Sequence, residues 1–400
     1  MTKKFDICIV GNGAVGKAAA LGLAQAGLDV ALLVPNNARP AVQPSSPSIW
    51  DVRVYALNQI ARDLLTSIRV WDALDASRVA AVEAMKVEGD GGEQAGQLLF
   101  DAYSARVGAL AWIVEDSNIN QALDAALKFA SRIQVVSATA TALTVRDDMA
   151  EVALDNGEAI QAALIVGADG GQSWVRGQCD IDISYRSYAQ RAVVANFHCE
   201  KPHHGVAHQW FTQDQGIVAL LPLPQQQVSL VWSAPEPFAA TLLDGGADKL
   251  AHRLATWAEP VLGQLKPLQP EMVRAFPLSL IRPHAITAPR VALIGDAAHV
   301  VHPLAGQGMN LGFADVTALI SILSERESHR DCGDARVLGR YARARKEDVL
   351  LMQLTTDTLA RIFSVDLQPL RLARNIGMSL VDRLPGLKRR LMGHAFGKGV

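Results

Sequence analysis

Four hundred residues, half of them apolar, suffice for two or three domains at roughly 150 residues each, with cores that need neither disulfides nor metal. Lys plus Arg number 38 against 40 for Asp plus Glu, and a net charge of −2 gives no global electrostatic support for nucleic-acid binding. No window reaches the ~18 uninterrupted apolar residues of a membrane span, and Cys8, Cys179, Cys199 and Cys332 lack the Cys-x-x-Cys spacing of a zinc knuckle or a dithiol pair.

Residues 5–10 form a short apolar run, 14–26 carry an Ala/Leu helical pattern closed by Gly27, and a second apolar run spans 30–34. Strand, tight turn, helix and strand in succession make a βαβ unit, which predicts a parallel sheet buried on both faces. Lys3 and Lys4 before the first run could be mistaken for a secretory leader, but Asp6, Asn12 and Lys17 interrupt it, so a cytoplasmic placement is expected. Further strands of the same kind are predicted at 163–168 and 291–295. Between them, alternating stretches at 207–211, 217–221 and 228–232, separated by Pro, Gln and Gly, have antiparallel texture.

The economical architecture is α/β. It has a doubly wound domain made of residues 1–180 and 277–335, an inserted antiparallel domain over 181–276, and a helical region over 336–400. A piece near 80–110 is a candidate to join the inserted sheet.

Gly11-Asn12-Gly13-Ala14-Val15-Gly16 is G-x-G-x-x-G between a predicted strand and a predicted helix. The first glycine makes the turn, the second admits a pyrophosphate, and the third lets helix and strand pack; the helix start adds N–H donors and partial positive charge. The acid that normally ends the second strand of such a unit and holds a ribose is absent, because the strand runs into Val34-Pro35. Either Asn36 or Asn37 replaces it, or the ribose is held elsewhere, or the site has lost affinity.

A second signal starts at Val291, where an apolar strand ends in Gly295-Asp296. A loop through Pro303, Gly306 and Gly308 follows, and a helix opens near Met309-Asn310. An aspartate at a strand end can accept from a polyol hydroxyl, and a helix start can receive an electron-rich ring edge. The third signal is Gly167-Ala168-Asp169-Gly170, again a strand running into Asp-Gly. Three strand-end turns meeting at one place suit a long cofactor such as FAD better than a nicotinamide dinucleotide, which needs only the first.

These motifs, in this order and at these separations, resemble the flavin monooxygenases of the para-hydroxybenzoate hydroxylase type. The segments Asp51 to Asn58, Ile113 to Glu115, Val218 to Pro222, Leu230 to Ser233 and, above all, His302 to Gly312 are most similar to the ubiquinone-biosynthesis hydroxylase branch. The resemblance implies an FAD-dependent hydroxylase that inserts one atom of O2 into a polyprenylated phenol through a flavin C4a-hydroperoxide, with NAD(P)H as reductant. It places Gly11, Gly13, Ala14, Gly16, Arg53, Asn120, Asp169, Gly295, Asp296, Pro303, Gly306, Gly308, Met309 and Asn310 at the cofactor, with Arg53 toward the pyrophosphate or flavin ring and Asp296 on the ribitol. The family usually has Glu where Val34 stands and Gln where Asn120 stands.

A reactive flavin adduct survives only where water is excluded, and Leu220, Pro222 and Trp232 are the candidates for that apolar wall; core of the inserted sheet is the competing role for them. His302, with Pro303 beside it, is the titratable candidate at the flavin loop, a structural hydrogen bond being its alternative. No metal is expected: His299 and His302 precede a proline without a neighbouring Glu, and His203, His204 and His208 have no nearby carboxylate or thiolate.

Residues 374–400 carry a local charge of +5 with leucines interleaved. They suit either an anionic membrane surface or a docked helix with a solvated basic face. A ubiquinone-biosynthesis complex is the implied partner, alongside the phenol and O2. A flavin-dependent lipid reductase or dehydrogenase, or a non-catalytic lipid-presenting or assembly subunit, are the competing functions.

Overall fold

In the computed structural model, which describes residues 2–36, 49–90, 96–212, 214–302 and 306–364, the first strand, Thr2–Val10, pairs in parallel with Ala159–Gly167 on one side and Val30–Val34 on the other. Parallel partners continue outward to Val291–Leu293 at one end and Ile133–Ser137 at the other. Ile7, Ile9, Leu164 and Val166 enter one core while Cys8, Val10, Ile165 and Val291 enter another. Both faces of the sheet are therefore covered, and for that reason its strands read as unbroken apolar runs. Helix Ala14–Gln25 packs on the first core together with Gln307–Ser324 and Asp116–Leu127.

Register positions the site. Val10 lies opposite Gly167, and Gly167 lies opposite Leu293, so three parallel strands end at the same level and their following turns emerge side by side. Gly11 makes the first turn at φ +117°, and a Cβ there would meet the Ala168 carbonyl oxygen at 2.3 Å. Only a glycine lets the two turns lie this close.

A second eight-stranded sheet runs in the order Leu265–Pro267, Ile183–Cys199, Gln227–Pro235, Gly216–Leu223, Val206–Thr212, Ala84–Glu88 and Gln97–Asp101, with Arg274–Pro283 also paired to Ile183–Cys199. Its pairings are antiparallel except that between Val206–Thr212 and Ala84–Glu88. The three segments predicted as antiparallel strands all lie in it. Helices Glu236–Asp244 and Gly246–Leu262 cover one face and bury Phe197, Leu220, Trp232 and Leu254.

A small sheet of Val54–Leu57, Ala111–Glu115 and Val79–Val82 stands beside it. The helix Ala335–Ser364 returns to the first domain, where Tyr341 donates to the Leu293 carbonyl at 2.8 Å. Among the described residues no helix is long and apolar enough to cross a membrane. Asn37, Pro303 and the basic 374–400 segment lie outside the described residues.

Candidate cofactor and substrate site

One cavity of about 540 Å³ lies where the three turns face the second sheet, and it is lined by Gly13 and Ala14, by Ala168 and Gly170, and by Gly295 and Asp296. The turns predicted to meet do meet, within the ordinary size range of ligand pockets. Gly13 precedes helix Ala14–Gln25 with no side-chain cap, so the first N–H groups of the helix are left for a ligand. Arg53, Asn120, Gly306, Gly308 and Met309 also belong to the cofactor-side lining.

Gly11 and Gly16 stand behind this lining and build the turn: a Cβ on Gly16 would meet the Gly11 carbonyl oxygen at 2.3 Å. Asp169 and Asn310, both expected at the cofactor, use their side chains internally. Asp169 accepts from Ser173 Oγ at 2.6 Å and from Val175 N at 3.0 Å, fixing its own turn. Asn310 donates to the Ala56 carbonyl at 2.8 Å and accepts from Asn58 N at 3.0 Å, which anchors the start of helix Gln307–Ser324 to strand Val54–Leu57.

Charge is concentrated on the cofactor side. The Arg53 guanidinium lies 5.3 Å from the Phe276 ring centroid, and its charge is reinforced by Tyr55, Asp116 and Asp296. Asn120 accepts from Lys17 Nζ at 3.1 Å and donates to the Asp116 carboxylate at 3.0 Å. Asp296 is exposed toward the cavity, where desolvation raises its pKa against the opposing pull of His299 and Arg53. Asn36, an alternative partner for the ribose, turns toward Asp155, with 3.4 Å between its Nδ2 and the carboxylate.

Behind the third turn is a buried network that the motifs did not reveal. Asp315 is completely buried; one oxygen accepts from Gly295 N at 2.9 Å and from His299 Nε2 at 2.7 Å, and the other from Arg345 Nε at 2.7 Å. Burial alone would push this carboxyl up, yet His299 and Arg345 hold it below the usual range. The signal was present as a lone acid in an otherwise apolar stretch of helix Gln307–Ser324.

Two further expectations need correction. Leu220, Pro222 and Trp232 do not line the cavity: Leu220 and Trp232 belong to the core under the helices, and the Trp232 ring packs edge-on against Phe238 and Trp257. Successive strand residues point to opposite faces, so the wall is built by their neighbours Ala219, Leu221, Val231 and Ser233, with Ala192 and Val194 from the next strand. His302 does not reach the cavity lining either. It is fully buried, with Nε2 3.1 Å from Gln190 Oε1 and its ring edge-on to Tyr188 at 4.8 Å.

Burial lowers the pKa of His302 from its ordinary 6.5 to about 4, and His208, stacked on Trp210, is lowered to about 4 chiefly by burial, with help from Lys86. Both rings are neutral in the fold and gain protons first in the unfolded chain, so stability is full above pH 6.5 and falls as the pH drops toward 4. At 1.36 kcal/mol per pKa unit the loss is roughly 3 kcal/mol per ring. Urea midpoints measured at pH 7 and pH 5 should show it, and His302→Gln should flatten the dependence; a wild-type midpoint that stays constant would contradict this account.

Comparison with known proteins agrees with this geometry. Residues 4–352 match the FAD binding domain family. The chain is 36% identical over 396 residues to the 3-demethoxyubiquinol 3-hydroxylase of Escherichia coli K12, covering 98% of both proteins. It is 33% identical to the ubiquinone hydroxylase UbiL of Rhodospirillum rubrum, covering 99% of this chain and 90% of that protein. The chain belongs to the FAD-dependent ubiquinone-biosynthesis hydroxylases. Its fold matches p-nitrophenol 4-monooxygenase PnpA from Pseudomonas putida DLL-E4 with a TM-score of 0.76 at 17% identity, over the whole of both chains.

This hydroxylase is thus an FAD-dependent monooxygenase of the para-hydroxybenzoate hydroxylase fold type, and the family does not favour the reductase and non-catalytic readings. The residues fit the cofactor. A Cβ at Gly13 would meet nothing within 4 Å while Gly11 and Gly16 are tightly packed, so the open space in the turn faces the cavity, where a pyrophosphate would lie. Among the described residues no cluster of His, Cys, Asp or Glu could hold a metal ion.

Proposed function

We propose that this hydroxylase inserts oxygen into the ring of a polyprenylated phenol during ubiquinone biosynthesis. The observation that carries the reading is a cavity with two unlike walls, one of strand-end turns and charged side chains, the other a mainly apolar sheet face. Bound FAD supplies the redox chemistry, accepting electrons from NAD(P)H and activating O2. Gly13 and Ala14 would hold its pyrophosphate, Asp296 its ribitol, and Arg53, Gly306, Gly308 and Met309 the region of the ring. On the opposite wall Ala192, Val194, Ala219, Leu221 and Val231 would keep water from the reacting atoms and receive the prenyl-bearing ring.

The doubly wound parts of 1–180 and 277–335 form the cofactor half in this reading, and the second sheet, which also takes strands Ala84–Glu88, Gln97–Asp101 and Arg274–Pro283, the substrate half. Contact with a membrane surface through 374–400, and membership of a ubiquinone-biosynthesis complex, belong to the same proposal.

The test is NAD(P)H-dependent O2 consumption coupled to a hydroxylated prenylphenol, together with Asp296→Ala. Removing a charged acceptor from a polyol hydroxyl costs about 1.5–3 kcal/mol, so the variant should emerge largely free of flavin, as read by the 450 nm region of its spectrum. A full flavin spectrum in Asp296→Ala would move the cofactor elsewhere. Product formation without O2 would remove the hydroxylase reading.

A further inference from the structure

The apolar wall of the cavity carries a polar side chain that the fold does not satisfy. Gln209 lies opposite Ala219, which lies opposite Val231, which lies opposite Val194, and all four line the cavity. Its neighbours His208 and Trp210 are cross-strand partners of Leu220 and Val218, which belong with Trp210 to the helix-covered core. Alternation along the strand therefore turns the Gln209 side chain to the cavity.

Gln209 is only 6% exposed, and among the described residues its amide makes no hydrogen bond. An amide that opens into the cavity without a protein partner is left for a ligand there, and leucine would fill a similar volume without that capacity. The adjacent rung on this face, Ile217, Ser233, Ala192 and Phe276, leads to Arg53, whose guanidinium lies against Phe276. A ligand reaching from the charged wall across the sheet would meet Gln209 next.

We infer that Gln209 is a specificity-determining residue that hydrogen-bonds a neutral oxygen substituent on the substrate's aromatic ring. The inference rests on the prenylphenol reading above. An amide offers both an N–H donor and a carbonyl acceptor, which matches a phenolic hydroxyl, and among the described residues the sheet strands line the cavity with no Lys or Arg that would pair with a carboxylate. A site built to bond a ring oxygen rejects the analogue lacking it, because its own polar group is then left unpaired.

The experiment uses the FAD-loaded enzyme and follows flavin fluorescence while titrating a farnesylated phenol and the matching farnesylated toluene, which lacks the hydroxyl. Wild type should prefer the phenol by about tenfold, and Gln209→Leu should bind the two within about twofold, because one hydrogen bond is being removed. The variant should keep its FAD and unfold at the same temperature as wild type or higher, since no protein hydrogen bond of the Gln209 side chain is lost. A preference that persists in Gln209→Leu overturns the inference, as does a variant that melts below wild type, which would assign Gln209 a structural role. Wild type binding both ligands equally overturns it too while leaving the hydroxylase reading standing. Wild type binding neither ligand removes the prenylphenol reading itself.

Discussion

Asp315→Ala is expected to give a protein that is both destabilised and poor in flavin, although Asp315 does not line the cavity. The substitution leaves Arg345, whose side chain is only 4% exposed, with Asp348 alone as an ionic partner. It also leaves Gly295 N and His299 Nε2 without their acceptor. Breaking a buried pair from one side costs about 3–5 kcal/mol, and the cost falls on the turn that presents Asp296. The urea midpoint should drop accordingly, and FAD should dissociate during purification.

Asp315→Asn separates charge from shape. It keeps one acceptor and nearly the same volume, so its flavin content should lie between those of wild type and the alanine variant. The pH sign follows from the depressed carboxyl: its contribution is present above the ordinary carboxylate range and is lost only as the pH falls through the lowered folded value. Asp315→Ala should therefore lose less stability than wild type on strong acidification. A variant with normal midpoint and normal flavin would show that the network is not what holds the third turn.

How much of this was legible in the sequence depended on whether backbone or side-chain direction was at issue. The three turns could be read because glycine at a strand end reports a backbone requirement, and a parallel sheet aligns such ends automatically; Val10, Gly167 and Leu293 lie level for that reason. The substrate wall could not be read to the correct face. Strand Gly216–Leu223 is covered by helices on one side and faces the cavity on the other, so Leu220 and Leu221 are both apolar and alternation carries no sign. Trp232, the most conspicuous residue in its strand, belongs to the core because its bulk fills the space under the helices and its Nε1 finds the Gln215 carbonyl at 2.6 Å.

Polar residues in the motifs divided in a similar way. Asp296 lines the cavity and accepts no hydrogen bond among the described residues, whereas Asp169 and Asn310 satisfy nearby backbone groups, as short polar side chains at turns commonly do. His302 stands next to the flavin loop in sequence, but Tyr188 and Gln190 of the long strand Ile183–Cys199 turn it inward. Proximity along the chain did not determine direction.

The glycines of the first turn provide the sharpest separation of folding from binding. Gly11→Ala should fail to fold: the backbone is at φ +117° and the new Cβ would lie 2.3 Å from the Ala168 carbonyl oxygen and 2.8 Å from Asp169 N. Both obstacles are backbone, held by the register of the central strands, so neither can swing aside. Left-handed strain and overpacking together cost about 3–5 kcal/mol, enough to remove much of a domain's stability.

Gly13→Ala should do the opposite. Gly13 sits at φ −69° and ψ 171°, a conformation open to alanine, and its Cβ would meet nothing within 4 Å. The flavin-free protein should melt at or slightly above the wild-type temperature, because alanine reduces the entropy of the unfolded chain by roughly 0.4–1 kcal/mol. FAD affinity should fall by about 10- to 100-fold, the equivalent of roughly 1.5–3 kcal/mol of steric cost against the pyrophosphate. Circular-dichroism melts and FAD titrations of the two variants check both statements. If Gly13→Ala bound FAD as tightly as wild type, the open space in the turn would not be the cofactor's. If Gly11→Ala folded normally, the close approach of the first two turns would not be what holds them in register.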